Sequence, residues 1–332
     1  MFSRVGRSIY ATGIDLWLDS LTRRARSYIS HGHADHARPH DLVVATPQTA
    51  AICRARFPRK AILSGSTMFE EHPYESPWES EHHRLTLISA GHVLGSSQLL
   101  IEGEGGRFVY TGDFKLGTSR TCEEARVPRC DTLLMECTFG EPHFVFPPRQ
   151  EVEAEMISFA NETHDAGALP TFLAYSLGKA QEAMAILGSA GIPLVVHDAI
   201  ATIADVYVQC GVALPAYRRF TEFETFSDGA ALVWPPASKS LPRMIAQKNV
   251  VAAMLTGWTA GKRSYASYRS NRGFSLSDHA DYPALLRYIE LAQPTHVVLF
   301  HGNQGFARHL RSVGINAQVL GEHEQLSLLD PV

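Results

Sequence analysis

The chain has 332 residues, 45% hydrophobic and 19% charged, which is enough apolar material for one large or two smaller soluble units. No run approaches the roughly 18–20 apolar residues of a membrane span, and residues 1–10 carry Arg4 and Arg7 with no apolar run behind them, so no membrane partner and no secretory leader is expected and the expected compartment is the cytoplasm. A net charge of −4 excludes a uniformly basic polyanion binder, and five cysteines without a CxxC pair (Cys53, Cys122, Cys130, Cys137, Cys210) exclude a disulfide framework or a zinc ribbon.

Strands are predicted over 25–30 and 42–45, and Thr46 followed by Pro47 then opens a helix reaching residue 57. Further strands follow at 85–89, 98–101 and 108–111, with the glycine-rich 103–106 turning a hairpin. After a strand at 132–135 the pattern changes to alternation. Helices are predicted at 149–164, 179–187, 201–209, 283–291 and 304–313, and strands at 171–175, 193–196, 250–255 and 296–300. Repeated strand–helix alternation predicts a layered α/β fold, and the early hairpins predict mixed sheets.

Charge is unevenly spread. Residues 229–277 contain no Asp or Glu but hold Lys239, Arg243, Lys248, Lys262, Arg263, Arg269 and Arg272, so this stretch carries +7 and the remainder −11. Trp234, Trp258, Tyr265 and Tyr268 are interleaved and could stack on bases, which makes the stretch a candidate polyanion track. A solvated face that lacks acids is the alternative.

The segment Ser30-His31-Gly32-His33-Ala34-Asp35-His36 places four metal-competent side chains within six residues, directly after a strand. Imidazole and carboxylate are the donors zinc prefers, and the tight spacing lets His31 and His33 face one ion while Asp35 and His36 face a neighbour. A His-rich surface loop would look similar. Three later segments weigh against it, because each ends an apolar run in a His or Asp beside glycine: Gly91-His92, Gly112-Asp113 and His301-Gly302.

This constellation resembles the HxHxDH signature of the metallo-β-lactamase superfamily. The resemblance implies an αββα sandwich with a first ion on His31, His33 and His92, a second on Asp35, His36 and His301, and Asp113 bridging the two. The cofactors implied are two Zn²⁺, with Mn²⁺ an alternative. Asp19, with Asp15 nearby, is similar to the family's early strand-end aspartate, which acts from behind the ligands. Three further segments resemble the β-CASP branch, whose members are nucleases. They are Leu134-Met135-Glu136-Cys137-Thr138-Phe139-Gly140 with its acid at Glu136, Phe274-Ser275-Leu276-Ser277-Asp278-His279 with its histidine at His279, and His301. The run Ala174-Tyr175-Ser176-Leu177-Gly178-Lys179-Ala180-Gln181 resembles the junction that opens the β-CASP insert. The implied organisation is a core over 1–168, a small α/β cap over 169–268 and a core return over 269–332.

The runs SDHADY, YSLGKAQ and ECTFG are also similar to those of bacterial ligase-associated DNA exonucleases. That likeness implies a DNA exonuclease of DNA repair, with an ATP-dependent DNA ligase or a helicase as functional partner. A histidine at His301 is typical of RNA-processing members, so RNA stays open as substrate. The implied chemistry is attack on phosphorus by a hydroxide that two ions activate, with Asp35 essential to it. His279, oriented by Glu136, would protonate the leaving oxygen or hold the phosphate. Ser176 and Lys179 are candidate phosphate contacts at a helix start, and Lys262 and Arg263 candidate contacts to the nucleic acid.

Blander readings stand beside these. Ser277 and Asp278 could simply cap the next helix, and Ser176 and Lys179 could serve packing and solvation. A small-molecule hydrolase such as a lactonase or thioesterase would leave the cap motifs without purpose, and a silent scaffold would not need the intact ligand set. The glycines around Lys179 and Lys262 lack Walker A spacing, so no nucleoside triphosphate binding is expected. His40, His72, His82, His83 and His197 lie off the pattern and read as structural or surface residues.

Overall fold

The computed structural model describes residues 2–6, 8–221, 229–236, 249–261, 270, 272–301, 304–321 and 325–326. The chain divides into two compact units. The first comprises 1–118, 123–142 and 279–332, and the second comprises 119–122 and 143–278.

The first unit is built on two seven-stranded sheets. One has the order Gln325–Leu326, Phe2–Val5, Ser8–Ala11, Leu16–Leu18, Arg26–Tyr28, Leu42–Ala45, Met68–Glu71. The other has the order Ala317–Val319, His296–Phe300, Thr132–Glu136, Gly106–Tyr110, Ser97–Gly103, His83–Ser89, Trp78–Ser80. Alternation along the strands separates the faces. Tyr110, Leu134 and Val298 enter the apolar layer shared by the two sheets, which also holds Leu16, Tyr28 and Val44. Their neighbours Val109, Leu133, Met135, Val297 and Leu299 pack instead with Leu285, Ile289, Phe306 and Leu310, on the helices Tyr282–Ala292 and Gln304–Ser312. Cys53 of the helix Pro47–Arg56 packs with Ile29, Val43 and Ala45 of the first sheet. The result is the expected four-layer αββα sandwich.

Three strands of the second sheet, Gly106–Tyr110, Thr132–Glu136 and His296–Phe300, run parallel, and the register pairs Tyr110 with Leu134 and Glu136 with Phe300. Asp113, Glu136 and His301 therefore emerge at one edge. The antiparallel meander His83–Ser89, Ser97–Gly103, Gly106–Tyr110 sends His92 out at the same edge. Carboxyl ends of parallel strands are where such folds build sites.

The second unit is the inserted α/β unit. Its sheet is parallel throughout, in the order Tyr217–Arg219, Leu194–Val196, Ala231–Trp234, Leu169–Leu173, Val250–Leu255, Arg272–Phe274. One face packs Phe172, Val196 and Val233 against the helices Arg149–Asp165, Lys179–Ser189 and Asp198–Gln209, and the other face holds Leu173, Val195 and Trp234. Burial on both faces explains strands that read as unbroken apolar runs.

The contacts draw the unit boundaries differently from the 169–268 window that the family resemblance implies. The helix Arg149–Asp165 belongs to the second unit because Phe159 packs edge-on against Phe172 and Phe274, with ring centroids 5.5 and 5.6 Å away. Arg272–Phe274 belongs there because it extends the parallel sheet beside Val250–Leu255. No helix among the described residues is long and apolar enough to cross a membrane. None of the five cysteines is in a disulfide, and burial pushes the thiols of Cys53, Cys130 and Cys137 up to about 12, which removes them as ligands or nucleophiles at neutral pH.

Candidate metal centre

The segment Ser30–His36 leaves the strand Arg26–Tyr28 and is fixed from behind by Asp19. Ser30 donates to Asp19 through its backbone N (2.7 Å to Oδ1) and its hydroxyl (2.5 Å to Oδ2), and Tyr110 donates its phenol to Oδ2 at 2.9 Å. His36 Nδ1 lies 2.8 Å from the same Oδ2, which leaves Nε2 turned to the site. Asp19 thus holds the position that its neighbour Asp15 cannot, since Asp15 is bound to Tyr10 at the surface. The Asp113 loop comes close enough only because residue 112 is glycine. A Cβ there would lie 2.6 Å from Ser30 Cβ, and φ is +54°. The His92 loop is held by Ser96, whose Oγ accepts from the backbone N of His92 (3.0 Å) and of Val93 (3.2 Å).

Among the donor groups that result, His31, His33 and His92 form one and His36, Asp113 and His301 another, each with donor atoms within 4.8 Å of one another. Asp113 stands at the centre, with Oδ2 3.3 Å from His36 Nε2, 3.7 Å from His31 Nε2 and 3.9 Å from His92 Nε2, and with Oδ1 3.8 Å from His301 Nδ1. His301 adopts φ +54°, an uncommon backbone for a residue other than glycine, directly after its strand. Asp35 does not join a donor group among the described residues. It is exposed and lines a cavity of about 420 Å³ together with His36 and His301.

A second carboxylate governs His279. Glu136 is fully buried and accepts from the backbone N of Phe114 (3.1 Å) and of Thr138 (3.2 Å), and its Oε1 lies 2.9 Å from His279 Nδ1. The other ring nitrogen, Nε2, is 3.9 Å from Asp113 Oδ2. The helix after it is capped by Asp281, which accepts from Ala284 N at 3.0 Å. Capping therefore does not account for Ser277, Asp278 and His279.

Comparison with known proteins gives three kinds of match. The family described as Zn-dependent metallo-hydrolase RNA specificity domain matches residues 271–320, which include His279 and His301. A probable DNA ligase of Opitutus terrae is 36% identical over 98% of this chain. The transcription termination factor FttA of Methanocaldococcus jannaschii is 43% identical over 31% of the chain, and the RNase J-like protein of the same organism 31% identical over 35%. These matches support a likeness to the β-CASP branch of the metallo-β-lactamase superfamily. The chain spans 32% of the length of the Opitutus relative, and the matched parts are 17% of FttA and 28% of the RNase J-like protein. A solved structure of a protein of unknown function from Enterococcus faecalis shares the fold, with a TM-score of 0.61 at 14% identity over 90% of this chain and 80% of that one.

The donors suit a metal. His31 Nε2, His36 Nε2 and Asp113 Oδ1 are buried with no hydrogen-bond partner in the structure, a costly state for polar atoms. Burial, followed by the neighbouring His36 and His92, holds the His31 imidazole well below its usual range, so it is neutral with a lone pair to give. Burial works against the charge of Asp113, but His36 and His279 outweigh it and keep the carboxyl well below the usual range. Burial works against charge on His36 as well, but Asp113 and Asp19 outweigh it and hold that imidazole well above its usual range, so a metal there would take the place of its proton. Imidazoles around an ionised carboxylate are the donor set of a zinc centre.

In the inserted unit, Lys179 and Trp234 are not placed as a substrate contact requires. Lys179 is buried and its ammonium binds Asp278, so it is held by an internal acid and does not face solvent. Ser176 is half-buried, and its carbonyl accepts from Gln181 Nε2 at 3.1 Å. Trp234 is 1% exposed within the core and is not available for stacking, and Arg272 pairs with Glu155 at 3.6 Å. Lys262 and Arg263 lie outside the described residues, as do Lys239, Arg243, Lys248, Arg269, Tyr265 and Tyr268. The off-pattern histidines are structural where they can be followed. His40 Nδ1 accepts from Arg24 N at 3.1 Å, His72 stacks on Trp78, and His197 caps the helix Asp198–Gln209. Sequence reasoning missed Tyr110, Ser96 and the Lys179–Asp278 pair. Only Tyr110, just ahead of Thr111-Gly112-Asp113, had a local signal.

Proposed function

We propose that this protein is a metal-dependent phosphodiesterase that degrades DNA as an exonuclease, in the setting of DNA repair. The observation that carries the reading is the placement of His279, held by buried Glu136, beside the central Asp113 at the edge where both donor groups meet. A hydrolase needs a centre for the attacking side and a separate proton-carrying group for the leaving side, and this arrangement supplies both.

His31, His33 and His92 would hold one ion, His36 and His301 with Asp35 the other, and Asp113 would contact both. When bound, two divalent ions, zinc foremost and manganese as the alternative, lower the pKa of a water and neutralise charge on the phosphoryl group. The chain's own residues do the rest. Asp19 keeps His36 in one tautomer by engaging Nδ1. Glu136 does the same for His279, so that Nε2 faces the centre and can give a proton to the departing oxygen or hold a phosphate oxygen. Substituting Asp35→Ala or His36→Ala should abolish cleavage while far-ultraviolet circular dichroism stays unchanged. Retained turnover in both variants removes the two-ion reading.

Similarity along almost the whole chain to a protein named as a probable DNA ligase supports DNA and a ligase or helicase partner. The acid-free basic stretch supports a polyanionic substrate, with Lys262 and Arg263 in contact with it. A cytoplasmic setting fits cysteines that stay out of disulfides. The second reading is an RNA-processing nuclease, favoured by the match to an RNA specificity domain over 271–320 and by His301. A time course on matched DNA and RNA strands, labelled at the 5′ or the 3′ end, decides between them. Faster cleavage of RNA transfers the proposal to RNA processing.

A further inference from the structure

We propose that the cavity lined by Arg308 binds a backbone phosphate of the nucleic acid, close to the link being cut. This rests on the phosphodiesterase reading above and adds a substrate contact that sets affinity. The cavity measures about 320 Å³, and its walls all belong to the first unit. Gly140, Glu141, Tyr282, Gln304, Arg308 and His309 are in its lining. Its place follows from the chain. Gly140 comes four residues after Glu136, Tyr282 three after His279 and Gln304 three after His301. The three segments that bring Glu136, His279 and His301 to the site thus run on into the walls of one cavity. Three residues reach at most about 11 Å, so Tyr282 and Gln304 are held that close to His279 and His301. A strand with one phosphate at the centre carries its neighbouring phosphates over a similar reach.

The side chains suit an anion. Arg308 is exposed, and among the described residues it makes no hydrogen bond or ion pair. The other two arginines on the helices Tyr282–Ala292 and Gln304–Ser312 are committed, Arg287 to Glu290 at 2.6 Å and Arg311 to the carbonyl of Ala317 at 2.7 Å. A guanidinium is permanently charged, and its planar fork of donors matches a phosphate. His309 is the next residue, with its ring 5.7 Å from that of Tyr282, and both carry donor groups of their own. Glu141 is the acid in the lining and forms no ion pair with Arg308. Its charge limits what the cavity takes. A phosphodiester link brings one negative charge, whereas a terminal phosphate brings about −1.5 to −2. An interior link of the strand therefore meets less repulsion there than a phosphorylated end.

The test sets one phosphate against one side chain. Cleavage is measured on end-labelled single strands, with a 5′-hydroxyl or a 5′-phosphate, in which one link at a time is an uncharged methylphosphonate. Zinc content and circular dichroism confirm an intact protein. In wild type, one substituted position other than the scissile link should lower kcat/KM by about 10-fold. Arg308→Gln should lower kcat/KM by a similar factor on the unmodified strand, reduce its dependence on log salt by about one, and lose nothing more at that position. Arg308→Lys should recover part of the loss. Arg311→Gln removes the same charge from the same helix and should keep the wild-type response to the substituted link. An Arg308→Gln protein equal to wild type, an undiminished methylphosphonate effect in it, the same behaviour in Arg311→Gln, or a loss confined to 5′-phosphorylated strands would overturn the subsite alone. A wild-type protein that cleaves neither DNA nor RNA overturns the phosphodiesterase reading, and the subsite with it.

Discussion

Asp19 shows how much a single side chain can organise. It sits at φ +46°, a backbone that Asp and Asn tolerate better than most residues, and its carboxylate ties together Ser30, Tyr110 and His36. Asp19→Asn keeps the backbone preference and the size, but sets an amide donor among groups that already donate. Zinc affinity should fall about 10–100-fold, read by competition with a chelator. Asp19→Ala should do the same and also lower the melting temperature, through roughly 1 kcal/mol of added strain. Unaltered zinc affinity in both would show the carboxylate to be idle. His40 gives a second residue-scale expectation. Burial pushes its imidazole down to about 4, whereas in the unfolded chain it titrates near 6.5. The folded state therefore resists protonation, and stability that is complete above about pH 6.5 is lost as pH falls toward 4. This residue should account for about 2 kcal/mol of that loss. The difference in urea midpoint between pH 7 and pH 4.5 should shrink in His40→Gln.

At the scale of elements, the site is made by strand ends whose loops must approach closely. Gly112→Ala should bring both a Cβ 2.6 Å from Ser30 and a disfavoured φ, costing about 2–3 kcal/mol and displacing Asp113 from the imidazoles. Gly117 is the control, since φ is +98° there and a Cβ would meet nothing within 4 Å. Gly117→Ala should lose only about 1 kcal/mol and keep its zinc. Equal effects in thermal melts and zinc content would mean that the close approach does not matter. The same elements show what a sequence can reveal. Long apolar runs such as Val250–Leu255 and His296–Phe300 announce themselves, as does the Thr46 cap, whose Oγ1 accepts from Thr49 N at 3.1 Å. The short strands Leu16–Leu18, Trp78–Ser80 and Tyr217–Arg219 do not, because three residues hold too little alternation to set a period, and only their neighbours in the sheet make them strands. His31, His33 and His36 were legible because their spacing is local. The junction of Asp113 with His279 and His301 had to be taken from family resemblance, since it depends on convergence across nearly 190 residues of chain, roughly the whole second half of the fold. Ser96 acts through its hydroxyl on backbone amides and leaves no pattern.

For the molecule as a whole, the buried donors without partners couple folding to metal. Chelation should lower the melting temperature by about 10 °C, from roughly 4 kcal/mol of lost ligand binding, and added zinc should restore it. A melt indifferent to chelator would place those donors in a structural network instead. Replacing Lys262 and Arg263 together by alanine should weaken nucleic-acid binding and reduce its dependence on log salt by about two. An unchanged slope would remove these two residues from the contact.

The short segment 119–122 has a further bearing on how this protein can be taken apart. Buried Glu182 accepts from Ser119 Oγ (2.9 Å), Arg120 N (2.5 Å), Thr121 Oγ1 (3.2 Å) and Arg149 Nη2 (2.8 Å), which fastens four residues from early in the chain into the inserted unit. The polypeptide thus passes from one unit to the other at four points instead of two. Deleting 143–278 as a cassette leaves 119–122 stripped of its acceptor, and expressing 143–278 alone leaves Glu182 without three of its donors. A protease nick near residue 142 leaves 119–122 and Glu182 on separate fragments, with these hydrogen bonds between them. Anyone trading inserts among relatives must carry both stretches across together.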